Sequence, residues 1–212
     1  MNSRLHYDAV LFDLLTGLLD SWSLWDSVAG GTEDGRRWRG AYLSRTYATG
    51  AYRPYEEMVA AAAAEAGLDP ALAQRLAARY GELRPWPEVG TVLAALGAKL
   101  PLGIVTNCSE ALGAKAVACT GIAFATVVTA ERAGFYKPDP RPYRLALAEL
   151  GVEPSRCLFV AGSAYDLFGT AAIGLPTFWH DRIGMTPPEG APRPLAHHRT
   201  LHPLVAHALA PP

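Results

Sequence analysis

The stretch AVLFDLLTGLLD, residues 9–20, decides how this chain is read. Four apolar residues, Ala9 to Phe12, run straight into Asp13, and the next polar residue is Thr16. A short, unbroken apolar run that ends in a turn is the pattern of a strand buried on both faces. Asp13 then stands at the carboxyl end of that strand. In open α/β sheets this is the edge where ligands bind. A solitary carboxylate at such a place, with no second one beside it, demands a chemical explanation.

Working outward, three more runs have the same character: PLGIVT (101–106), CLFVAG (157–162) and PTFWH (176–180). Helical patterns lie between them. Ser109 is placed to cap a helix running toward Cys119. Asp139 is a good N-cap with Pro140 at the first helical position, and Gly151 stops that helix. Strands alternating with helices predict right-handed βαβ units and a doubly wound, Rossmann-like parallel sheet.

Residues 20–86 break the rhythm. YEEMVAAAAAEAG ends at Gly67, and a second helix is expected from Asp69 and Pro70 to about Tyr80. No strand is convincing there. The reading is therefore an α/β core made of residues 1–19 and 87–212, with residues 20–86 inserted as a helical cap over the site.

Composition narrows the function. The chain has 212 residues, is 50% hydrophobic and 18% charged, and carries a formal net charge of -1. An electrostatic nucleic-acid binder is excluded by that balance. No apolar stretch approaches the roughly 20 residues that span a bilayer, and MNSRLHYDAV lacks the apolar segment of a secretion signal, so a cytoplasmic protein is expected. Cys108, Cys119 and Cys157 form no paired motif and read as buried thiols. The six histidines show no ligand spacing, and HHRT (197–200) reads as surface.

The strand-end rule brings together Asp13, Thr106 with Asn107, and the segment AGSAYD (161–166). With Lys137 in YKPDP, these pieces resemble, in order, the four motifs of the haloacid dehalogenase superfamily: FDLLTGLLD, IVTNCS, YKPDP and FVAGSAYDLFGTAAIGLPT. The resemblance spans essentially the whole chain. Most members are magnesium-dependent phosphatases, which carry an aspartate two residues after the nucleophile to protonate the leaving alcohol. Here that residue is Leu15, which cannot act as an acid. The first acid of the usual fourth motif is replaced by Gly162.

A halide leaves as a stable anion and needs no proton. The metal-independent L-2-haloacid dehalogenases are the branch without the second aspartate, and this chain resembles them most. Trp38-Arg39 matches their Trp-Arg pair, whose arginine receives the halide; Thr106-Asn107 matches Ser-Asn; Tyr143 follows Lys137 by six residues, as in that branch; and Ala164-Tyr165-Asp166 matches Ala-Trp-Asp. Two departures stand out. Thr16 and Gly17 are in the reverse order, which displaces the threonine that bonds the nucleophile by one position. Ser163 replaces an asparagine.

The resemblance implies Asp13 as nucleophile, Lys137 holding it ionised, and Asp166 holding Lys137 and activating water. Arg39 and Asn107 would receive halide. Leu14, Leu15, Thr16, Thr106, Tyr143, Ser163 and Tyr165 are expected around the substrate. Neither a metal nor another cofactor is required, and the partner is a small molecule. A homodimer fits the branch, although no interface is readable. The alternatives are a phosphatase that holds Mg²⁺ with Asp13, the Leu15 carbonyl and Asp166, and a non-catalytic binding protein on the same fold. A phosphonate-cleaving variant needs a cap lysine, and no lysine precedes Lys99.

Overall fold

The computed structural model describes residues 6–211. Its centre is a six-stranded, fully parallel sheet in the order β3-β2-β1-β4-β5-β6. The strands are β1 (Ala9–Phe12), β2 (Leu102–Thr106), β3 (Thr126–Thr129), β4 (Cys157–Ala161), β5 (Thr177–His180) and β6 (Ala196–His198). β1 lies between β2 and β4, with Val10 paired to both Leu102 and Leu158. The chain reverses its winding direction there, so the crevice beyond β1 is the topological switch point.

The period-two alternation of β1 divides the core. Val10 and Phe12 face one layer, with Ile104, Val160 and Phe178. Ala9 and Leu11 face the other, with Val105, Phe159 and Leu147. Helix α8 (Pro140–Leu150) supplies Tyr143, Ala146 and Leu147 to that second layer. Its ends follow their sequence signals: Asp139 Oδ1 accepts from the Arg141 N–H, and Gly151 closes the helix at φ +65°.

Between β1 and the return to the sheet lie α1 (Ser21–Ala29), α2 (Thr32–Thr49), α3 (Tyr55–Glu65) and α4 (Leu72–Ala78). Aromatic side chains join them. Trp25 meets Trp38 at 4.5 Å between ring centroids, and Trp38 Nε1 donates to Val59 O at 2.9 Å. Tyr42 Oη donates to Asn107 O at 2.9 Å, and Tyr136 Oη donates to Arg53 O at 2.7 Å, which ties this helical block to the sheet. None of the helices among the described residues is long and apolar enough to cross a membrane.

Several details depart from the sequence reading. β3 and β6 carry no clear sequence signal. β6 is an edge strand whose His197 stacks on Trp179 at 4.0 Å, so the HHRT segment lies at the surface as expected, with its two histidines part of the sheet. The expected helix at Asp69 starts as a turn, in which Asp69 Oδ1 accepts from the Ala71 N–H, and α4 proper begins at Leu72. Ser109 precedes α6 (Glu110–Ala118) but does not cap it; its hydroxyl donates to Glu56 Oε1 at 2.9 Å.

Candidate active site

Asp13 leaves β1 into a tight turn that wraps its own carboxylate. Oδ2 accepts from Thr16 N at 3.1 Å, Thr16 Oγ1 at 2.6 Å and Gly17 N at 3.1 Å. The displaced threonine thus reaches the carboxylate. Two glycines make this possible. A Cβ on Gly17 would lie 2.3 Å from Asp13 O, and one on Gly162 would lie 2.1 Å from Thr16 Oγ1. The missing acid at position 162 and the slipped threonine are therefore one adjustment: Thr16 fills the space that a side chain there would need.

The carbonyls of this turn are tied down from three directions. Ser21 Oγ donates to Leu15 O, Trp86 Nε1 donates to Thr16 O at 3.0 Å, and His180 Nδ1 donates to Gly17 O at 2.9 Å. Sequence reading assigned no role to any of these three side chains. They come from the start of α1, the Pro-rich return segment and the end of β5, and nothing local in the sequence links them to the turn.

Asp13 Oδ1 faces Lys137. The ammonium lies 2.9 Å from Asp13 Oδ1 and 3.0 Å from Asp166 Oδ1, with all three side chains at least nine-tenths buried. Tyr143 Oη also donates to Asp166 Oδ1, at 2.6 Å. Burial pushes the Asp13 carboxyl up, but Lys137 and the Thr16 bonds outweigh it and hold Asp13 below the usual carboxylate range. Burial and the neighbouring Asp13 charge leave Asp166 above that range despite Lys137. Burial works against the Lys137 charge, yet the two carboxylates raise its pKa.

Arg39 approaches from α2. The sequence makes an exposed arginine plausible in RRWRG, but Arg39 is only 3% exposed. Its guanidinium carbon sits 4.5 Å from the Trp22 ring centroid and 5.2 Å from that of Trp25. Nε and Nη1 are buried without a hydrogen-bond partner among the described residues. Arg39 forms no ion pair among the described residues.

These groups line one cavity of about 50 Å³. Asp13, Lys137 and Asp166 form its floor, and Arg39, Tyr42, Leu43, Thr46 and Tyr47 come from α2. Leu15, Thr16, Asn107, Ser163 and Tyr165 complete the wall as expected. Leu43 and Thr46 were missed, although they follow Arg39 at helical spacing.

Three expected substrate contacts are corrected. Leu14 was expected to offer its backbone N–H; its side chain packs into the core and the residue does not line the cavity. Thr106 is buried at 1% exposure, also off the wall, where its hydroxyl meets the Cys108 thiol. Tyr143 stands one layer back, behind Asp166. The Asn107 amide pairs with the Lys137 backbone in both directions, at 3.0 and 2.8 Å, so it positions the lysine loop.

The residues present do not suit Mg²⁺. An ammonium already lies between the two carboxylates. The Leu15 carbonyl accepts the Ser21 hydroxyl, and Thr16 closes the place of the missing fourth-motif acid. The described residues contain no cluster of three or more metal-ligating side chains.

Comparison with known proteins identifies the family. Residues 7–174 match the family model of haloacid dehalogenase-like hydrolases, and the chain belongs to that family. It is 33% identical over 129 residues to (S)-2-haloacid dehalogenase 4A of Burkholderia cepacia, a match covering 59% of this chain and 55% of that protein, so it spans little more than half of that relative's length. It is 28% identical over 194 residues to haloacetate dehalogenase H-2 of Moraxella sp. (strain B), covering 84% of this chain and 87% of the other. In fold it is similar to the L-2-haloacid dehalogenase of Xanthobacter autotrophicus, with a TM-score of 0.84 at 24% identity over 94% of this chain and 97% of that one.

Proposed function

We propose that this protein hydrolyses the carbon–halogen bond of short 2-haloalkanoic acids, giving 2-hydroxy acids through an ester on Asp13. The observation that carries this reading is Arg39, a buried cation with open donors that shares a cavity with a buried carboxylate. Such a cation calls for an anion. A halide that forms in the cavity and then departs meets that need without a permanent partner in the fold.

In the first step Asp13 Oδ1 attacks the halogen-bearing carbon. Oδ2 already accepts three hydrogen bonds and Oδ1 one, so Oδ1 keeps the free lone pair. The carbon–halogen bond breaks and the halide takes its electron pair toward Arg39. The ester carbonyl oxygen is then Oδ2, still held by Thr16 and Gly17. In the second step water adds to the Asp13 carboxyl carbon and gives its proton to Asp166. Asp166 suits this role because Tyr143 and Lys137 both meet its Oδ1, which leaves Oδ2 without a partner among the described residues, and because its pKa is raised. Charge gathers on Oδ2, and the Thr16 and Gly17 donors stabilise it. The tetrahedral adduct collapses with cleavage of the bond to Oδ1, the departing alkoxide takes the proton held by Asp166 and leaves as the 2-hydroxy acid, the other proton of the added water passes to solvent, and Asp13 is restored as a carboxylate.

Every step uses side chains and water, so we propose no metal and no cofactor. The phosphatase alternative has no donor set to stand on, and the three free thiols suit the cytoplasm. The test is halide release from chloroacetate, bromoacetate and both 2-chloropropionate enantiomers in excess chelator. Wild type is expected to release halide and Asp13→Asn to lose at least about 10⁴-fold. Full release by the variant, or none by wild type, overturns the reading.

A further inference from the structure

The turn after β1 does more than hold Asp13. Each of its peptide units joins one carbonyl to the next residue's N–H. The Leu15 carbonyl and the Thr16 N–H belong to one unit, and the Thr16 carbonyl and the Gly17 N–H to the next. Both N–H groups donate to Asp13 Oδ2, at 3.1 Å each. Both carbonyls, at the other ends of the same units, accept a side-chain hydrogen bond: Leu15 O from Ser21 Oγ, and Thr16 O from Trp86 Nε1 at 3.0 Å. Ser21 is 2% exposed and Trp86 9% exposed, so both bonds are shielded from water. A hydrogen bond to a carbonyl polarises its peptide unit and makes the N–H a stronger donor, and burial enhances this. His180 stands apart. It bonds Gly17 O, whose unit carries the Leu18 N–H, and that group donates to Leu14 O instead of Asp13.

We propose that Ser21 and Trp86 are positioning residues for hydrolysis of the Asp13 ester, each acting through one peptide unit to strengthen the donors around Oδ2. The proposal rests on Asp13 being the nucleophile of the reaction described above. Its consequence is selective. In the attack on carbon, Asp13 loses negative charge, and strong donors on Oδ2 give no advantage. In ester hydrolysis Oδ2 gains negative charge, and strong donors accelerate it. Loss of Ser21 or Trp86 therefore slows the second step and spares the first.

Ser21→Ala and Trp86→Phe test this, with Ser21→Thr retaining the hydroxyl. After mixing with bromoacetate, each of the first two variants is expected to release bromide in a burst approaching one per site. A slower steady phase follows, reduced about tenfold. The mass of the intact protein rises by that of the carboxymethyl ester during that phase, and Ser21→Thr behaves like wild type. Amide NMR gives a readout independent of turnover: the Thr16 N–H proton moves upfield in Ser21→Ala, and the Gly17 N–H proton in Trp86→Phe. Unmoved amide resonances overturn the relay whatever the activity. So does a variant that loses both steps equally and accumulates no ester. If wild type releases no halide while the amides shift as expected, the dehalogenase reading falls and the relay on Oδ2 stands.

Discussion

Two buried cations face the same cavity and are held in opposite ways. Lys137, on the sheet side, touches two carboxylates and lies 5.4 Å from the Phe159 ring centroid. Arg39, on the helical side, touches two indole faces and no carboxylate, and its Nε and Nη1 have no acceptor. The lysine is neutralised within the fold. The arginine is held by aromatic faces that support a cation without consuming its N–H groups. This contrast matches what the chemistry asks of each side. Negative charge starts on Asp13 beside Lys137 and ends on a halide beside Arg39. One cation stabilises the starting ionisation permanently, and the other is left open for charge that arrives during the reaction.

The largest effect comes from exchanging each cation for methionine. Lys137→Met leaves two buried carboxylates without their counter-ion and is expected to cost about 3–5 kcal/mol of stability. The thermal midpoint falls by about 2–4 °C per kcal/mol for a chain of this size. Arg39→Met removes an unmatched buried charge, so the midpoint stays level or rises. Halide release by that variant nonetheless falls about 10²- to 10³-fold, the loss typical of a group that stabilises developing negative charge. Calorimetry on the two variants, beside an ion-selective electrode assay, checks both halves. A fall in the Arg39→Met midpoint as large as that of Lys137→Met breaks the comparison.

How far the sequence reveals this arrangement follows the same division. The sheet side is legible because it is local. Apolar runs give β1, β2, β4 and β5, and the first three of these place a motif at their carboxyl ends. β3 is only four residues, TVVT, with Val127 partly exposed, and β6 owes its place to histidines stacked on Trp179 and Phe178. Neither has a periodic signal. The helical side depends on contacts between segments. RRWRG looks like a solvated face until Trp22 and Trp25, on the preceding helix, cover Arg39. The reversed Thr16-Gly17 order looks damaging until Gly162, far along the chain, makes room for the hydroxyl. Leu14 and Thr106 sit at the right places in their motifs, yet both side chains are buried away from the cavity. Motif position identifies the residues, and tertiary packing decides which of them reach the cavity.

A smaller effect sharpens the sheet side. Asp13 ionises below the usual carboxylate range and Asp166 above it, with Lys137 and Tyr143 packed against Asp166. The first step needs Asp13 deprotonated, and the second needs Asp166 deprotonated. As pH falls, Asp166 takes up its proton first, so steady turnover is lost while single-turnover halide release continues. As pH rises, Lys137 keeps its proton past its ordinary range, since its pKa is raised from 10.5. The profile therefore has an acid limb and no basic limb near neutrality. Rapid-quench measurement of both steps across pH checks this. Acid limbs that coincide for the two steps would place one shared group in control.

The smallest effect reads the helical side without any turnover. If the open donors of Arg39 receive halide, bromide binds the native state and stabilises it by mass action. At ten times its dissociation constant this is about 1.4 kcal/mol, or a rise of roughly 3–6 °C in thermal midpoint at about 2–4 °C per kcal/mol. General salt effects on stability act on every variant alike. The diagnostic quantity is therefore the difference between wild type and Arg39→Met, measured in bromide and in fluoride at matched ionic strength. Bromide is larger and gives up its water more readily, so it suits a seat against a buried guanidinium better than fluoride does. A bromide-specific rise in wild type that vanishes in Arg39→Met identifies the arginine as the seat. An equal rise in both proteins would assign the halide to another cation, and Lys137, already held by two carboxylates, would be a poor one.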